Sequence, residues 1–477
     1  MRGTRNRIIY YSVILQWGSL AALLGYPIWF RGGTRSSFQP AILWLGLAFF
    51  CACLLNIALR SFGATKKQSS SAHAPERAPR PIWGLFRDPA LWLALAFVGL
   101  AGIQRFNAGR QLLYDFAANT WIYEEARYPS LPWAITTEGA NEAFFVILPG
   151  LIVALMLRHV RLSRRTVLRI LRIFVINAGL VALFGIVQYF THTKSIYWAI
   201  PLETYFFASF GYPNHAGSFF LLSFCLCLGL IFHEIGGKGI GTLHSSRSRA
   251  LCLAATLTFL GAHFSFCRAA IILSWLTLIV TMTWCFKVPL RHASAATRVQ
   301  SAFVALAMTT VLAAGLAVFA GDRLHREFAL LRNEAYMHKQ VESRRWLIKP
   351  ALGIVADHPA FGTGYLGYRS LVPLYLPPDK LDYLKIFGRA NVHNDTLETL
   401  VEFGAVGFLI LLLFTAILFK PALRKAMVED PPTFFACLAL LTTLIHSQID
   451  LPFRSPAIVL SWALVLSALR PLSRSSR

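Results

Sequence analysis

Long apolar segments recur from one end of the sequence to the other, and they restrict the chain to one class of structure. A helix needs roughly 20 apolar residues to cross the hydrocarbon core of a bilayer. Such segments predict helices at 8–30, 40–59, 89–103, 143–157, 168–190, 216–233, 250–266, 269–286, 301–320, 396–419, 432–448 and 456–470. Because 56% of the residues are hydrophobic and only 14% are charged, an ordinary soluble fold is excluded. We therefore expect an all-α integral membrane protein with about 12 transmembrane helices.

The distribution of basic residues predicts which side of the membrane each segment faces. An amino terminus in the cytoplasm places most of the 46 Lys and Arg residues, but few of the 22 acidic residues, in cytoplasmic segments. Cytoplasmic loops of membrane proteins are enriched in Lys and Arg. The net charge of +24 therefore indicates membrane topology, with both termini in the cytoplasm and no nucleic-acid partner.

This topology divides the chain into three parts. Residues 1–320 hold nine predicted transmembrane helices and a cytoplasmic linker at 61–88 that is rich in Ser, Ala, Pro and Lys. Residues 321–394 form one large exterior loop, whose helical spacing of apolar residues predicts amphipathic helices. Residues 395–477 hold the last three transmembrane helices. A loop of this length is usually functional, so we expect a site there.

The eight cysteines lie in or beside apolar segments, and none lies in the large loop. They form no CxxC pair and no Cys/His ligand spacing. We expect no disulfide framework, no metal site and no cofactor.

The strongest local pattern is VHNDTLETLVEFGAVG at 392–407, where the large loop enters the tenth predicted helix. Asp395 and Glu398 fit a helix N-cap and its capping-box partner. His393 then precedes the helix, where the positive end of the helix dipole favours the neutral, basic imidazole. A general base needs these properties. The alternative is a loop histidine with a local hydrogen bond, which spacing alone favours.

Three arginines on the exterior side form a second candidate group. Arg268 lies in a very short turn between the seventh and eighth predicted helices, where an anionic partner is needed to offset the cost of a charge near the hydrocarbon boundary. Arg344 and Arg345 lie in the amphipathic part of the large loop. A guanidinium group suits a phosphate. The alternative for all three is a charge that extends to the membrane surface without a ligand.

Gly362-Thr-Gly364-Tyr-Leu-Gly367 matches the dinucleotide pattern GxGxxG. That pattern is meaningful only between a strand and a helix of a βαβ unit, which this loop does not resemble. We interpret it as a backbone turn beside the site, in which glycine permits close approach.

Five segments together resemble the O-antigen ligase and polymerase superfamily of bacterial envelope glycan enzymes. VHNDTLETLVEFGAVG is similar to its HN-x-x-L-x-x-x-x-E-x-G-x-x-G signature, and HPAFGTGYLGYR at 358–369 is similar to its P-x-x-G-x-G motif. The others are SFCRAA at 265–270, FGYPNHAG at 210–217 and HSQIDLPFRSPA at 446–457. The five occur in order over about residues 90–470. Unlike most ligases of the family, the 191–213 segment has no arginine, only Lys194 and His192.

The resemblance implies a GT-C-like fold in the bacterial inner membrane, with an active site in the periplasm. It implies a metal-independent glycosyltransferase that moves a glycan from undecaprenyl diphosphate to a hydroxyl of lipid A core or of a growing polysaccharide. By the resemblance, His393 is the base, and the substrate-binding residues are Arg268, Arg344, Arg345, Asn394, Gly362 and Gly364.

Two alternatives remain open from the sequence. One is a polymerase of the same superfamily, because the motifs separate ligase from polymerase poorly. The other is a flippase or transporter with about 12 helices. The absence of an evident repeat between halves and the small number of charges at mid-membrane depth argue against transport.

Overall fold

The computed structural model describes residues 2–64, 83–116, 120–160, 162–238, 240–287, 315, 318, 321–323, 325–381, 391–423 and 429–473. Most of the predicted ninth helix (301–320) and most of the 61–88 linker lie outside this range. Statements about the predicted ninth helix and the linker therefore stay predictions.

Helices lie at the other eleven predicted positions. Their bounds are Arg2–Trp29, Gln39–Ala64, Pro89–Phe106, Thr137–His159, Arg164–Phe190, Pro213–Lys238, Ser246–Phe264, Arg268–Lys287, Asp395–Phe419, Pro431–His446 and Pro456–Leu472. In the described part of the chain, eight helices are long and apolar enough to cross a membrane, and Pro431–His446 and Pro456–Leu472 are shorter apolar helices. The fold is therefore that of a multi-pass helical membrane protein, and the number of about 12 spans stays a prediction.

Local sequence explains where several of these helices begin. Asp88 accepts a hydrogen bond from the Ala90 backbone N–H at 3.1 Å, directly before Pro89. Thr136, Ser163, Ser245 and Asp430 cap the helices that follow them in the same way. Such side chains satisfy backbone donors that have no partner within the helix.

The chain forms two compact units. The first contains Met1–Leu24, Arg35–Arg161 and Glu334–Ile417, and the second contains Gly25–Thr34, Leu162–Asn333 and Leu418–Arg477. In the first unit, Gln39–Ala64 and Pro89–Phe106 pack against Thr137–His159. The first unit thus unites the fourth predicted helix with most of the large loop and the tenth predicted helix.

The second unit is built around Pro213–Lys238, whose apolar window is entirely buried. Helices Arg164–Phe190, Ser246–Phe264, Arg268–Lys287 and Pro431–His446 pack around it. Small residues allow close helix contacts: a Cβ on Gly179 would lie 3.1 Å from the Ala254 Cα.

Within the described part of the large loop, residues 325–329, Glu334–Asp357 and Gly367–Tyr375 are helical, as the apolar spacing predicts. The all-α prediction missed two short antiparallel hairpins. Strand β1 (Leu112–Asp115) pairs with β2 (Thr120–Tyr123), and β3 (Ser195–Ile196) pairs with β4 (Ile200–Pro201). Strands this short lack the alternating pattern by which sequence reveals a hairpin.

Candidate active site

The helix Asp395–Phe419, here called the interrupted helix, is broken at Gly404. Gly404 has φ 61° and ψ −170°, a conformation essentially restricted to glycine. In a continuous helix the Ala405 and Val406 N–H groups would donate to the carbonyls four residues earlier. Instead, Ala405 donates to Pro359 O at 2.8 Å and Val406 donates to Ala360 O at 3.0 Å.

The carbonyls released by this interruption are used by the same partner segment, residues 358–366, here called the glycine loop. The Thr363 N–H donates to Val401 O at 2.8 Å, and the Gly364 N–H donates to Glu402 O at 2.9 Å. The helix and the glycine loop therefore each donate two backbone hydrogen bonds to the other. The two N–H groups and two carbonyls of the helix that the interruption leaves without an intrahelical partner are therefore all paired.

The hydrogen-bonded contact between the interrupted helix and the glycine loop is here called the junction. The Gln104 side chain, from the helix Pro89–Phe106, contacts it. Its Nε2 donates to Phe361 O at 2.9 Å and to Glu402 O at 3.0 Å. Gln104 is 2% exposed. It therefore contacts both sides of the junction from a third segment.

Glycines allow the loop and the helix to approach this closely. A Cβ on Gly362 would lie 2.6 Å from the Val401 carbonyl oxygen, and one on Gly364 would lie 2.2 Å from the Ala134 Cβ. Both glycines have positive φ, 66° and 81°. The interpretation of Gly362 and Gly364 as a turn with close backbone approach is confirmed, and their role in substrate binding stays a prediction.

Two buried carboxylates support the end of the glycine loop and residues 391–394, here called the histidine segment. Glu402 is 3% exposed, and its Oε1 accepts from the Leu366 N–H at 2.7 Å, where Leu366 has φ 63°. Glu398 is 1% exposed, and its Oε2 accepts from the Val392 N–H at 3.1 Å. Each carboxylate thus stabilises an irregular backbone segment by a charge-assisted hydrogen bond.

His393 directly precedes the interrupted helix, as predicted, but the cap differs. Asn394, not Asp395, caps the helix: its Oδ1 accepts from the Leu397 N–H at 2.9 Å. The predicted capping box of Asp395 and Glu398 is wrong, because Glu398 reaches back to Val392. His393 itself has φ 56°, a left-handed conformation that is uncommon for a residue with a Cβ. The turn that this conformation creates brings Val392 within reach of Glu398.

A hydrophobic cluster connects the histidine segment to the helix Glu334–Asp357, here called the loop helix. Val392 and Val401 pack in one buried cluster with Ala351 and Ile354 of the loop helix. Tyr368, which is fully buried, belongs to this cluster and donates from its hydroxyl to Leu347 O at 2.7 Å. Burial raises the pKa of the Tyr368 phenol, so this hydroxyl stays a donor.

Arg344 and Arg345 are exposed on the loop helix, next to Trp346, which packs against this cluster. The first unit therefore contains His393, Asn394, Gly362, Gly364, Arg344 and Arg345. Arg268 belongs to the second unit, where it begins the helix Arg268–Lys287. Its Nη2 lies 3.2 Å from Glu327 Oε2, which supplies the anionic partner that its position requires.

A second group of side chains, which no sequence motif indicates, lies at the glycine loop. The Arg110 guanidinium lies 4.3 Å from the centre of the Trp133 ring, and the His358 ring contacts the same indole edge to face at 5.1 Å. Burial, with a smaller effect of Arg110, lowers the pKa of His358, although Asp357 opposes this. Arg110 and Trp133 occur in no motif, so residue type alone gives no signal for this group.

Among the residues that the structure describes, no three His, Cys, Asp or Glu side chains cluster as metal ligands would. The described groups with chemical capacity are an imidazole at a helix start, exposed guanidinium groups and buried carboxylates. Such a set suits proton transfer and the binding of an anion.

The fold is that of a multi-pass helical membrane protein, and the role of these histidine and arginine side chains as a site stays a prediction. Residues 251–412 match the family model described as O-antigen ligase. The match spans about a third of the chain and includes all seven predicted site residues. It confirms the resemblance to the O-antigen ligase and polymerase superfamily. No curated protein matches the chain.

Proposed function

We propose that this protein is a glycosyltransferase of the bacterial inner membrane that transfers a glycan from undecaprenyl diphosphate to an acceptor hydroxyl on the periplasmic face. The observation that carries the proposal is the position of His393, in a left-handed turn directly before a capped helix, within the matched domain. The ligase activity is preferred, and a polymerase of the same superfamily is the second candidate.

His393 is proposed as the base. The attacking hydroxyl must lose its proton as the glycosidic bond forms, and a neutral imidazole accepts a proton efficiently near neutral pH. The backbone around His393 is held by Asn394 and Glu398. Such support keeps a catalytic side chain in a defined direction, which reduces the entropy lost on reaching the transition state.

The arginines are proposed to bind the diphosphate leaving group. The negative charge of the diphosphate increases as the bond to the sugar breaks, and guanidinium groups stabilise that charge without needing a metal ion. Arg344 and Arg345 are exposed on the loop helix and so are accessible to a ligand. Arg268 is proposed to contribute after it leaves Glu327.

A transfer assay tests the proposal. Purified protein in liposomes is supplied with an undecaprenyl-diphosphate glycan and with either lipid A core or a second glycan repeat as acceptor, with and without EDTA. We expect EDTA-resistant transfer that is lost in His393→Ala and kept in His338→Ala, a change of a histidine whose side chain is 83% exposed on the loop helix.

The acceptor that receives the glycan decides between ligase and polymerase. Transfer that stops with EDTA would contradict metal independence. If no acceptor is glycosylated but the lipid-linked glycan crosses the bilayer, the protein is a transporter and the enzymatic proposal is wrong.

A further inference from the structure

Arg323, which no motif contains, is held between two aromatic rings in the second unit. Its guanidinium carbon lies 4.1 Å from the centre of the Tyr205 ring and 3.9 Å from the centre of the Phe266 ring. The Tyr205 hydroxyl donates to Phe264 O at 2.5 Å, which fixes that ring against the same turn. Cation–π contacts with both rings stabilise a guanidinium group without neutralising its charge.

Arg268 lies two residues after Phe266, so it belongs to the same turn. It occupies the first turn of the helix Arg268–Lys287, where the helix dipole disfavours a cation. Its ion pair with Glu327 offsets this, and both side chains are 29% exposed. Glu327 follows Arg323 by four residues, and residues 321–323 and 325–329 are helical.

Arg268 and Arg323 differ in their partners. Arg268 pairs with Glu327, whereas among the described residues no carboxylate forms an ion pair with Arg323. Arg323 is half-buried and Arg268 is partly exposed, so water and a ligand reach both. A guanidinium group without a carboxylate partner, next to a second one in a partly exposed ion pair, suits an anionic ligand such as a phosphate.

We propose that Arg323 and Arg268 form a binding site for a phosphate or diphosphate group, in which Glu327 occupies Arg268 until the ligand displaces it. Arg323 provides a guanidinium group that the Tyr205 and Phe266 rings hold in place. Arg268 provides a guanidinium group that exchanges Glu327 for the ligand. A diphosphate has enough oxygens to accept hydrogen bonds from both guanidinium groups. The anion site does not depend on the proposed function. The identification of its ligand as the diphosphate of the lipid-linked donor does rest on that function.

Direct binding tests the site independently of transfer. The protein in nanodiscs is titrated with inorganic pyrophosphate and, separately, with undecaprenyl diphosphate. We expect Arg323→Gln to weaken both affinities by about tenfold or more, as the loss of a charged hydrogen bond does. The matched control is Arg326→Gln, which removes the same charge from an exposed position three residues away and should leave binding unchanged.

Glu327→Gln should change the affinity in the opposite direction. It removes the internal competitor of the anion, so the affinity for pyrophosphate should increase up to about fivefold, the range of an exposed ion pair. A purely structural role of Glu327 predicts no tightening. Thermal unfolding of each variant shows that it is folded before its affinity is compared.

The outcomes separate the two proposals. Equal affinity of wild type, Arg323→Gln and Arg326→Gln, or no pyrophosphate and no lipid binding by wild type, overturns the anion site. Binding of both ligands that depends on Arg323, without transfer to any acceptor, supports the site and contradicts the proposed function. If pyrophosphate binding depends on Arg323 but lipid binding does not, the anion site holds and its ligand is a free phosphate compound.

Discussion

Gly404 lies against the backbone of Ala360, so close that a Cβ on Gly404 would stand 2.3 Å from the Ala360 carbonyl carbon and oxygen. The Val406 N–H donates to that same carbonyl oxygen at 3.0 Å. A side chain at position 404 would therefore prevent the backbone hydrogen bonds between the interrupted helix and the glycine loop. The glycine is a requirement of the junction and not a tolerated irregularity in an apolar helix.

Gly404→Ala should destabilise the first unit. The backbone conformation alone costs a residue with a Cβ about 1–3 kcal/mol, and the overlap with Ala360 adds to this. The control is Gly99→Ala in the helix Pro89–Phe106, where a Cβ meets no atom within 4 Å. Thermal unfolding in detergent should show a lower midpoint for Gly404→Ala alone. Equal midpoints would mean that the junction contributes little to stability.

Replacing His393 should abolish transfer without unfolding the protein. Loss of a general base lowers the rate by about 10²–10⁴-fold. His393→Gly is the informative variant, because glycine adopts the positive φ of this position without strain, so its unfolding midpoint should equal or exceed that of His393→Ala. The rate is measured with saturating lipid-linked glycan. A His393→Gly variant that transfers glycan at the wild-type rate would remove the imidazole from the mechanism.

Glu398 should act as a positioning residue for His393. Glu398→Ala removes the acceptor of the Val392 N–H, so the turn that directs the imidazole loses its support. We expect kcat to fall by about 10²-fold with little change in KM, since misplacement affects the chemical step. Glu398→Gln retains an acceptor oxygen and should restore much of kcat. An equal loss in Ala and Gln variants would instead indicate a role of the charge itself.

The stability of the glycine loop should depend on pH through His358. Burial lowers the pKa of His358 below its usual 6.5, so between these two values the unfolded chain binds more protons than the folded one. Stability from this group is therefore full above about pH 6.5 and is lost as the pH falls below it. The unfolding midpoint of His358→Gln should decrease less on acidification than that of wild type. The control is His338→Gln, at an exposed position, whose unfolding midpoint should follow that of wild type.

Helix positions could be predicted, because they follow from the length of the apolar segments and from helix-capping residues. In the part of the chain that the structure describes, helices lie at all eleven of the predicted positions that it covers, because each apolar segment satisfies its backbone only within itself. The start of the interrupted helix was predicted one residue late. Asn394 and Asp395 are both good caps, and only the left-handed turn at His393 decides between them.

The residues of the candidate site follow from sequence motifs and their roles stay predictions, whereas the hydrogen bonds that connect their segments could not be predicted. His393, Gly362 and Gly364 carry local signals of a turn or a helix start. The junction between the glycine loop and the interrupted helix consists of backbone hydrogen bonds, which leave no trace in residue type except glycine. Arg323 was missed for a related reason: its partners Tyr205 and Phe266 are distant in sequence, and cation–π contacts have no fixed spacing.

The exchange of hydrogen bonds across the junction has a consequence for the design of chimeras. A graft that replaces residues 358–366 alone with those of a relative would leave the carbonyls of Val401 and Glu402 facing a backbone of foreign geometry. Each buried group left unpaired in this way costs several kcal/mol in a membrane. The transplantable module therefore includes residues 401–406 together with the glycine loop, although more than thirty residues of sequence separate the two pieces.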